Sequence, residues 1–510
     1  MMITEYMVSG VSALLPGLRK ATHDSKPLDL WPGAILALTQ AALTLPFGQL
    51  SDKFGGYKIL MFGVTWMTIW NFVTCSDLSL NTLLACRAMQ GVAAAAMTSS
   101  CLPLYSRTYT DKRIFRIVVA IYTAFAPIGF YVGILVAAEL DEDSWYWYFA
   151  IGGFLSLVVL LLGWLCIPTT ITDIADNQTK IDWRGALTSI SGIIMVVYAL
   201  SASTDAGTSN WISAKVLVPL CLGTIVLGLF CWIQARVVEY PLLPISFFNP
   251  KGMIVLTLAS LLMYGSFEVW LFTATTWLEE RFGVYHTKVP LWFLPMLLGG
   301  ITLSTSSSKL TERIPILILF VVAGLANVGA PLFLRFADVK QGFWGMPLFS
   351  MICATAAIDL LYTANVLYMT EVQPEKLHGL TGAFCSLTVQ LATSFSLAIV
   401  QLVENAGLPA NDGPAINSQD DKATTVGHLS KAFYYAAGCA VVGLLLVLIF
   451  GLVDFVGNRR KIAAEKDVEQ APVMEFVVVQ GRGTMKDTGR VVIRSPHGIM
   501  ESGTSNSKNE

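Results

Sequence analysis

The sequence contains little charge. Only 13% of its 510 residues are Asp, Glu, Lys or Arg, whereas 54% are hydrophobic, and a soluble domain carries roughly 25% charged residues. Soluble domains of this total length would need far more charge to cover their surfaces. The formal net charge of −2 also excludes the basic face that a nucleic-acid-binding protein needs. The composition therefore predicts a polytopic membrane protein.

Several signatures of enzyme chemistry are missing. The sequence has no G-x-x-x-x-G-K-[ST] phosphate loop, no H-E-x-x-H zinc helix and no C-x-x-C pair among its nine cysteines. An acidic run, Asp141–Asp143, has no basic partner nearby and is interpreted as a solvated loop. These absences exclude ATP hydrolysis in this chain, and we predict no enzyme activity, no cofactor and no metal site. For a protein with many spans, movement of a solute across the membrane is the function that remains.

Fourteen apolar runs are long enough to cross a bilayer as helices, since a crossing takes about 20 residues. An even number of spans places both termini on one side of the membrane. The predicted fold is therefore all-α, with fourteen transmembrane helices. The runs are Met2–Leu18, Trp31–Leu50, Lys58–Cys75, Leu80–Tyr105, Ile114–Ala138, Trp145–Pro168, Ala186–Ser203, Ser213–Gln234, Gly252–Trp277, Val289–Ser307, Pro315–Leu334, Gly345–Met369, Leu380–Val403 and Ala432–Val456.

The distribution of basic residues predicts the orientation, because cytoplasmic loops are enriched in Lys and Arg. Most basic residues between spans, including Lys53 and Arg236, lie on the side of the two termini. The loop at 139–143 on the other side has no positive charge, although the first loop on that side contains Arg19, Lys20 and Lys26. We therefore expect cytoplasmic termini. The plasma membrane is the expected location, with the vacuolar membrane as the alternative.

A glycine-rich turn with an aspartate follows the second span. Gly55 permits unusual backbone angles, Gly48 allows close helix packing, and Asp52 can cap the next helix. Lys58 marks the cytoplasmic side. The segment closely resembles the G-x-L-a-D-r-x-G-r-k loop of the major facilitator superfamily, at the position that this family uses.

Spans four and five carry two further motifs. Arg87 places a permanent charge inside an apolar helix, at a cost of roughly 2.5–3.5 kcal/mol unless it is paired. It resembles the arginine of the family's R-x-x-q-G motif, which is implicated in proton coupling. In span five, Pro127 kinks the helix and Gly129 and Gly133 form a close-packing face. This segment is similar to the antiporter motif of the family, but other residues replace four of its glycines.

Three more segments resemble one branch of the superfamily, the fourteen-span drug:proton antiporter-2 family and its fungal aminotriazole-resistance-like exporters. They are Trp145–Phe149, Asp182–Ala186 and Pro241–Phe248. The resemblance implies two six-helix bundles around a central cavity, with an extra pair of spans between them. It implies proton-coupled efflux of small drugs, toxins or secondary metabolites, by a monomer in a lipid bilayer that binds no nucleic acid.

The resemblance also divides the chain into four parts. They are an N-terminal bundle (2–168), linker loops with spans seven and eight (169–251), a C-terminal bundle (252–456) and a disordered cytoplasmic tail (457–510).

Ionisable groups inside spans are functional candidates by default. Besides Arg87, we predict Asp359, Glu268 and Glu5 as proton-coupling groups, with Asp359 deepest in its span. A buried carboxyl group serves this role because its protonation changes with its surroundings. Near Glu5, the family's first-span motif has an aspartate where this chain has Met7. Aromatic residues beside Glu268 are the predicted cavity wall: Tyr264, Phe267 and Trp270.

Two alternatives remain open at this point. One is an importer or facilitator of a small nutrient or inorganic ion, such as ammonium or borate, because the span-five motif is incomplete. The other is a membrane receptor that does not transport, although its polar tail of roughly fifty residues is short for a signalling domain. The substrate itself depends on which side chains face the cavity, and helix rotation does not follow from one sequence.

Overall fold

A computed structural model gives the structure of the protein. It describes residues 1–21, 31–76, 80–108, 111–140, 144–167, 181–203, 213–374, 377–405, 418–469, 476–478, 491–495 and 498–500. Two compact units are present, residues 1–448 and residues 449–510. The acidic run Asp141–Asp143 and the basic residues Lys26 and Lys180 lie outside the described residues.

The described residues form fourteen α-helices, which correspond in order to the fourteen predicted spans. Eleven of them are long and apolar enough to cross a membrane. The other three, α1, α3 and α4, carry more polar residues, for reasons that the site makes clear. The helices are α1 (Met2–Ala21), α2 (Trp31–Phe54), α3 (Gly56–Thr74), α4 (Leu80–Thr108), α5 (Lys112–Ala138), α6 (Tyr146–Cys166), α7 (Trp183–Ala202), α8 (Ala214–Arg236), α9 (Met253–Phe282), α10 (Lys288–Arg313), α11 (Ile316–Arg335), α12 (Met346–Val372), α13 (His378–Asn405) and α14 (Ser418–Glu469).

Helix contacts separate the first unit into two groups and a pair. Among the first six helices, α1 packs on α5 and α6, α4 packs on α2 and α3, and α3 packs on α6. In the later part of the chain, α12 packs on α10 and α11, and α9 packs on α13. The groups meet where α2 contacts α13, α5 contacts α10 and α1 contacts α9. The extra helices α7 and α8 pack on each other, and α7 touches both groups through α2 and α13.

Helix α9 is the most enclosed element of the C-terminal group. Glycines in the left-handed region flank it at both ends, since Gly252 has φ +83° and Gly283 has φ +62°. The Gly283 N–H closes the last turn by donating to the carbonyls of Leu278 and Glu279. Every residue from Met263 to Leu278 is buried, so this segment contacts protein on all sides.

The outer surface of several helices is apolar and exposed. Trp164 and Leu165 of α6 are 70% and 72% exposed, and Ile225 of α8 is 66% exposed. Exposed apolar side chains over whole helix faces are typical of contact with lipid, where a soluble surface would carry charge. The pair α7 and α8 therefore presents an apolar face to the bilayer as well as packing on both groups.

Residues 457–510, expected to form a disordered tail, include the end of α14 and three short strands. The strands are β1 (Phe476–Val478), β2 (Val491–Ser495) and β3 (Gly498–Met500). They form an antiparallel sheet in the order β1-β2-β3, in which Val477 pairs with Val492. β-branched residues favour strands, which accounts for β1 and β2.

Candidate functional site: a cavity with three carboxylates

A cavity of about 650 Å³ lies among helices of both groups. Helices α1, α2, α4 and α5 form one side, and α9, α10, α12 and α13 form the other. A space bounded by two groups of helices can change its accessibility when one group moves against the other. The wall consists of Met1, Thr4, Glu5, Val8, Gln40, Thr98, Ile117, Tyr122, Thr123, Ala126, Pro127, Phe130, Phe267, Glu268, Leu271, Met296, Gly300, Ser304, Thr305, Thr355, Ile358, Asp359, Tyr362, Thr363, Val366, Leu367, Thr370, Gly382, Ser386, Val389 and Gln390.

Three carboxylates belong to this wall. Glu5 comes from α1, Glu268 from α9 and Asp359 from α12. Each is a proton-coupling candidate of the sequence analysis, and the structure brings all three to one cavity. No lysine, arginine or histidine side chain belongs to the wall in the described part of the chain. Acidic side chains therefore dominate the charge of the cavity.

Glu268 and Asp359 have few polar contacts. Glu268 is only 7% exposed, and its Oε2 atom is buried with no hydrogen-bond partner among the described residues. Asp359 is half-buried. Thr393 makes a side-chain hydrogen bond with the Glu268 carboxylate, so only one of its two oxygens lacks a partner. A buried carboxylate with so few partners is expensive as an anion, and it favours protonation or a cationic neighbour. Both groups thus have the chemistry that exchange of a proton requires.

Arg87 does not reach the cavity wall. It is fully buried on α4, and its Nε atom donates to the carbonyl of Pro32 at 2.9 Å. One terminal nitrogen donates to the carbonyl of Met7 at 3.0 Å, and the other to the Gln90 side chain at 3.0 Å. The second also lies 4.0 Å from the Met7 sulfur. Arg87 therefore ties α4 to the main chains of α1 and α2, and none of these acceptors is a carboxylate.

The Arg87 contacts extend into a larger buried network. The Gln90 amide donates to Asn71 at 2.9 Å and to Thr74 at 3.3 Å on α3. Tyr6 and Tyr148 stack with ring centroids 4.5 Å apart and planes at 6°, and each hydroxyl donates to the other's main-chain carbonyl. Most of these polar residues lie on α1, α3 and α4, the three helices outside the eleven that are long and apolar enough to cross a membrane. They join α1, α2, α3, α4 and α6 into one unit.

Of the three aromatic residues of α9 that were predicted to line the cavity, only one does so. Phe267 belongs to the cavity wall, whereas Tyr264 and Trp270 are fully buried elsewhere. Trp270 lies two residues after Glu268, which is roughly 200° around the helix, and its Nε1 donates to Ser350 on α12 at 3.1 Å. The rotation of α9 about its own axis determines which of these side chains faces the cavity, and a single sequence does not fix that rotation.

The sequence analysis did not identify two tyrosines of the cavity wall. Tyr122 of α5 and Tyr362 of α12 line the cavity, and Tyr362 lies one helical turn after Asp359. Uncharged residues in an apolar helix give no signal of their own. The position of Tyr362 could have been found from its i, i+3 spacing to the carboxylate.

The span-five motif lies between the cavity and α1. Pro127 belongs to the cavity wall. A Cβ atom at Gly129 would lie 2.2 Å from the carbonyl oxygen of Met2, and one at Gly133 would lie 2.3 Å from the Ser9 hydroxyl. Both glycines therefore allow α5 to pack closely on α1.

The loop after α2 differs in one detail from expectation. Close packing at Gly48 is wrong, since a Cβ atom there would have nothing within 4 Å. Asp52 lies inside the last turn of α2, and the residue that precedes α3 is Gly55, with φ +94°. A cap on α3 by the Asp52 side chain stays a prediction. Lys58 is exposed in the first turn of α3.

A family model, described as Major Facilitator Superfamily, matches residues 1–397. The chain belongs to the major facilitator superfamily. Membership confirms the predicted all-α membrane fold and a secondary transporter rather than an enzyme. The chain is thus an integral, multi-pass membrane protein that carries a small molecule.

Several fungal transporters are similar to the chain. The low affinity ammonium transporter of Saccharomyces cerevisiae is 23% identical over 444 residues, which cover 86% of this chain and 83% of the relative. The multidrug transporter mfsC of Aspergillus fumigatus is 26% identical over 494 residues, covering 94% and 90%. The aminotriazole resistance protein of S. cerevisiae is 25% identical over 461 residues, covering 86% and 79%.

A solved structure supports the same fold. The human organic anion transporter MFSD10 superposes with a TM-score of 0.57, covering 88% of this chain and 96% of that chain. The two sequences are 13% identical over the match, so the likeness concerns the fold alone.

Proposed function

We propose that this transporter exports a small drug-like molecule, toxin or secondary metabolite in exchange for protons. The observation that carries the proposal is the group of three carboxylates on the wall of one cavity, with Glu268 and Asp359 on the C-terminal side. A carboxyl group at this depth is stable when neutral and loses its proton when the cavity opens to water. The absence of an ATP-binding loop from the sequence leaves an ion gradient as the energy source.

The proposed coupling step uses the carboxylates without Arg87. Arg87 is held by acceptors on α1, α2 and α4, so it serves to hold the N-terminal helices as one body. Protonation of Asp359 or Glu268 then removes a buried negative charge and makes closure of the cavity less costly. Asp359, Glu268 and Glu5 remain our candidates for the coupling group, with Asp359 preferred.

We further propose the fourteen-span drug:proton antiporter-2 branch, cytoplasmic termini and a monomer in the plasma membrane. The described fourteen helices and the pair α7 and α8 between the two groups support the branch. The bundles are proposed as residues 2–168 and 252–456.

Import or facilitated movement of a small ion is the second candidate. The relative named as a low affinity ammonium transporter favours it. Right-side-out and inside-out vesicles distinguish the two directions. Faster accumulation in inside-out vesicles supports export, whereas faster accumulation in right-side-out vesicles supports import.

The central test uses the purified full chain in proteoliposomes with a pH gradient and a fluorescent pH indicator inside. Addition of a transported compound should release the gradient, and a proton uncoupler should abolish transport. The compound comes from a panel of drugs, fungal metabolites, ammonium and borate. Asp359→Asn should lose at least nine-tenths of the pH-driven transport, with Glu268→Gln second.

Glu280→Gln is the matched control, because Glu280 lies on the same helix as Glu268 but outside the cavity wall. It should transport at the wild-type rate. Full pH-driven transport by both cavity variants would contradict coupling through these carboxylates.

A further inference from the structure

We infer that the helix pair α7 and α8 is a latch between the two helix groups, fastened to the N-terminal group by a hydrogen bond between Gln49 and the main chain of Asp182. The latch stabilises the arrangement in which the cavity lies toward the end of the helices where these two residues are found. The inference concerns the change of shape during transport, so it holds for either direction of transport and for any coupling ion. It gives a role to the segments Asp182–Ala186 and Pro241–Phe248, which the proposed function does not use.

The latch is built around the Asp182 carboxylate, which lies just before α7 and is only 4% exposed. Its Oδ1 atom accepts from the Gly185 N–H at 2.8 Å and caps the first turn of α7. Its Oδ2 atom accepts from Nε2 of Gln234 on α8 at 2.6 Å. A Cβ atom at Gly185 would lie 2.1 Å from both atoms of that second bond, so only glycine allows the approach. Asp182 therefore joins α7 to α8.

A chain of buried contacts continues from α8 to the C-terminal group. The Oε1 atom of Gln234 accepts from the Leu243 N–H at 3.2 Å, in the segment between α8 and α9. In the same segment, the Phe247 carbonyl accepts from the Gln373 side chain at 2.6 Å, directly after α12. The fully buried ring of Phe247 packs on Phe384 of α13, with centroids 5.0 Å apart. These contacts attach the helix pair to α12 and α13.

The attachment to the N-terminal group is weaker. The main-chain N–H of Asp182 donates to Oε1 of Gln49 on α2 at 3.0 Å, and Ala186 of α7 shares an apolar cluster with Ala41 and Leu45 of α2. The hydrogen bond joins two neutral groups, and such bonds are weaker than those of a carboxylate. If the groups move against each other, this bond is therefore the one expected to break.

The latch and the cavity lie toward the same end of the helices. The latch lies where α2 ends and α7 begins. The cavity wall uses residues 1–8 of α1, 117–130 of α5 and 355–370 of α12, which are the halves of these helices nearest that end. The latch thus bridges the two groups on the side where the cavity separates them.

At the opposite end the two groups are in direct contact. The Thr275 hydroxyl of α9 donates to the Ser12 carbonyl of α1 at 2.9 Å. Phe272 lies against Gly33 of α2, where a Cβ atom would be 2.3 Å from the ring. Access from this end requires these contacts to part while the groups rock against each other. That movement shifts α2 relative to α12 and α13, so loss of the Gln49 bond should favour the arrangement that is open at the opposite end.

Alkylation of two introduced cysteines by N-ethylmaleimide, in the purified full chain in lipid nanodiscs, tests the inference. Ala34→Cys reports on the opposite end, because Ala34 is buried there in a cluster with residues of α9, α13 and α14. Thr363→Cys reports on the cavity wall. Mass spectrometry of the peptide that carries each introduced cysteine separates its rate from those of the nine native cysteines.

Gln49→Met removes the acceptor and keeps the length of the side chain. It should raise the alkylation rate at position 34 about two- to tenfold, which is the effect of one hydrogen bond on an equilibrium, and it should lower the rate at position 363. Thr44→Val is the matched control, because the Thr44 hydroxyl donates to the Gln40 carbonyl within α2. It should leave both rates unchanged.

Gln234→Met breaks the latch at its second bond, between Asp182 and the segment that contains Leu243. It should therefore change the two rates in the same directions as Gln49→Met. Because the two bonds act in series, the double variant should show no larger change than the single variants. Each variant should elute as wild type from a sizing column.

Unchanged rates at both positions in Gln49→Met would overturn the inference. A rise at both positions would also overturn it, because it would indicate a loosened fold rather than a shift between two arrangements. Effects that multiply in the double variant would overturn it as well, since they would show that Gln49 and Gln234 make independent contacts.

Discussion

The Arg87 network and the cavity both place charged side chains inside the membrane domain, but their surroundings differ. Arg87 is fully buried and its guanidinium donates to Pro32, Met7 and Gln90. Glu268 is almost as buried, and its Oε2 atom has no partner. A buried charge whose hydrogen bonds are satisfied can hold helices together, whereas an unsatisfied one costs stability and persists where function needs it.

This comparison changes the role that the sequence suggests for Arg87. A lone arginine in an apolar span and two carboxylates in later spans suggest a charge pair that forms and breaks. In the structure, Arg87 lies within the N-terminal group, beside Met7, the position where the family's motif has an aspartate. Main-chain carbonyls and Gln90 satisfy the guanidinium instead.

The largest effect on stability is expected at Arg87. Arg87→Ala removes three buried hydrogen bonds from a charged donor, each worth about 1.5–3 kcal/mol, so the free energy of unfolding should fall by about 3 kcal/mol or more. Transport should be lost as a consequence. Thermal unfolding of the purified protein, followed by tryptophan fluorescence, measures the change.

Arg87→Lys serves as the matched variant, since it keeps the charge with fewer donors. It should retain part of both the stability and the transport. An Arg87→Ala protein with wild-type thermal unfolding and no transport would instead assign Arg87 a direct part in coupling.

Removal of the Glu268 carboxylate, whose Oε2 atom is buried without a partner, should change stability in the opposite direction. Glu268→Met replaces it with an apolar side chain of similar length, so the free energy of unfolding should rise by about 1–3 kcal/mol. Transport should nevertheless be abolished. Unfolding and pH-driven transport are measured on the same preparation, with Glu280→Gln as the control for loss of one charge on α9.

A lower unfolding temperature in Glu268→Met would contradict the comparison, because it would mean that the hydrogen bond between Thr393 and Glu268 outweighs the cost of the unpartnered oxygen. A higher unfolding temperature with transport intact would separate Glu268 from function and leave Asp359 as the coupling group.

The sequence predicted the helices and the identity of the charged candidates well, for physical reasons. A run of about 20 apolar residues has few alternatives to a spanning helix, and ionisable residues within such runs are few. Glu5, Glu268 and Asp359 were therefore found without a structure. That they share one cavity depends on how α1, α9 and α12 pack, and no local pattern encodes that arrangement.

Other features depend on helix rotation and on partners far along the chain. Trp270 and Phe267 are three residues apart, yet only Phe267 reaches the cavity. The partners of Arg87 on α1 and α2 lie 80 and 55 residues away and are mainly backbone carbonyls, which carry no sequence signature. The turn after α2 was also difficult to predict, since α2 continues past Asp52 and Gly55 is the residue before α3.

A smaller effect on stability is expected when Tyr148 or Tyr6, the stacked tyrosine pair beside Arg87, loses its hydroxyl. Tyr148→Phe removes the hydroxyl that donates to the Tyr6 carbonyl, while the stacked rings remain. Loss of one buried hydrogen bond should lower the free energy of unfolding by about 1 kcal/mol. The KM for the compound transported in the proteoliposome test should stay unchanged, because Tyr148 is not part of the cavity wall.

Tyr6→Phe removes the reciprocal bond, in which the Tyr6 hydroxyl donates to the Tyr148 carbonyl at 2.8 Å. The two variants should therefore have similar unfolding temperatures. A change of tenfold or more in the KM for the transported compound in either variant would show that the network and the cavity are coupled.

The smallest effect on binding is expected at Trp270. The indole packs against Phe293 and donates to Ser350, on the side of α9 that faces the interior of the C-terminal group. Trp270→Phe keeps an aromatic ring and loses that one donor, so stability should fall by about 1 kcal/mol or less. The KM for the transported compound should stay within twofold of wild type.

Phe267→Leu, one helical turn earlier at the cavity wall, should raise that KM several-fold because it removes an aromatic ring that contacts the cargo. A larger effect of Trp270→Phe than of Phe267→Leu would place Trp270 in contact with the cargo, as the sequence suggested. It would also require a rotation of α9 during transport.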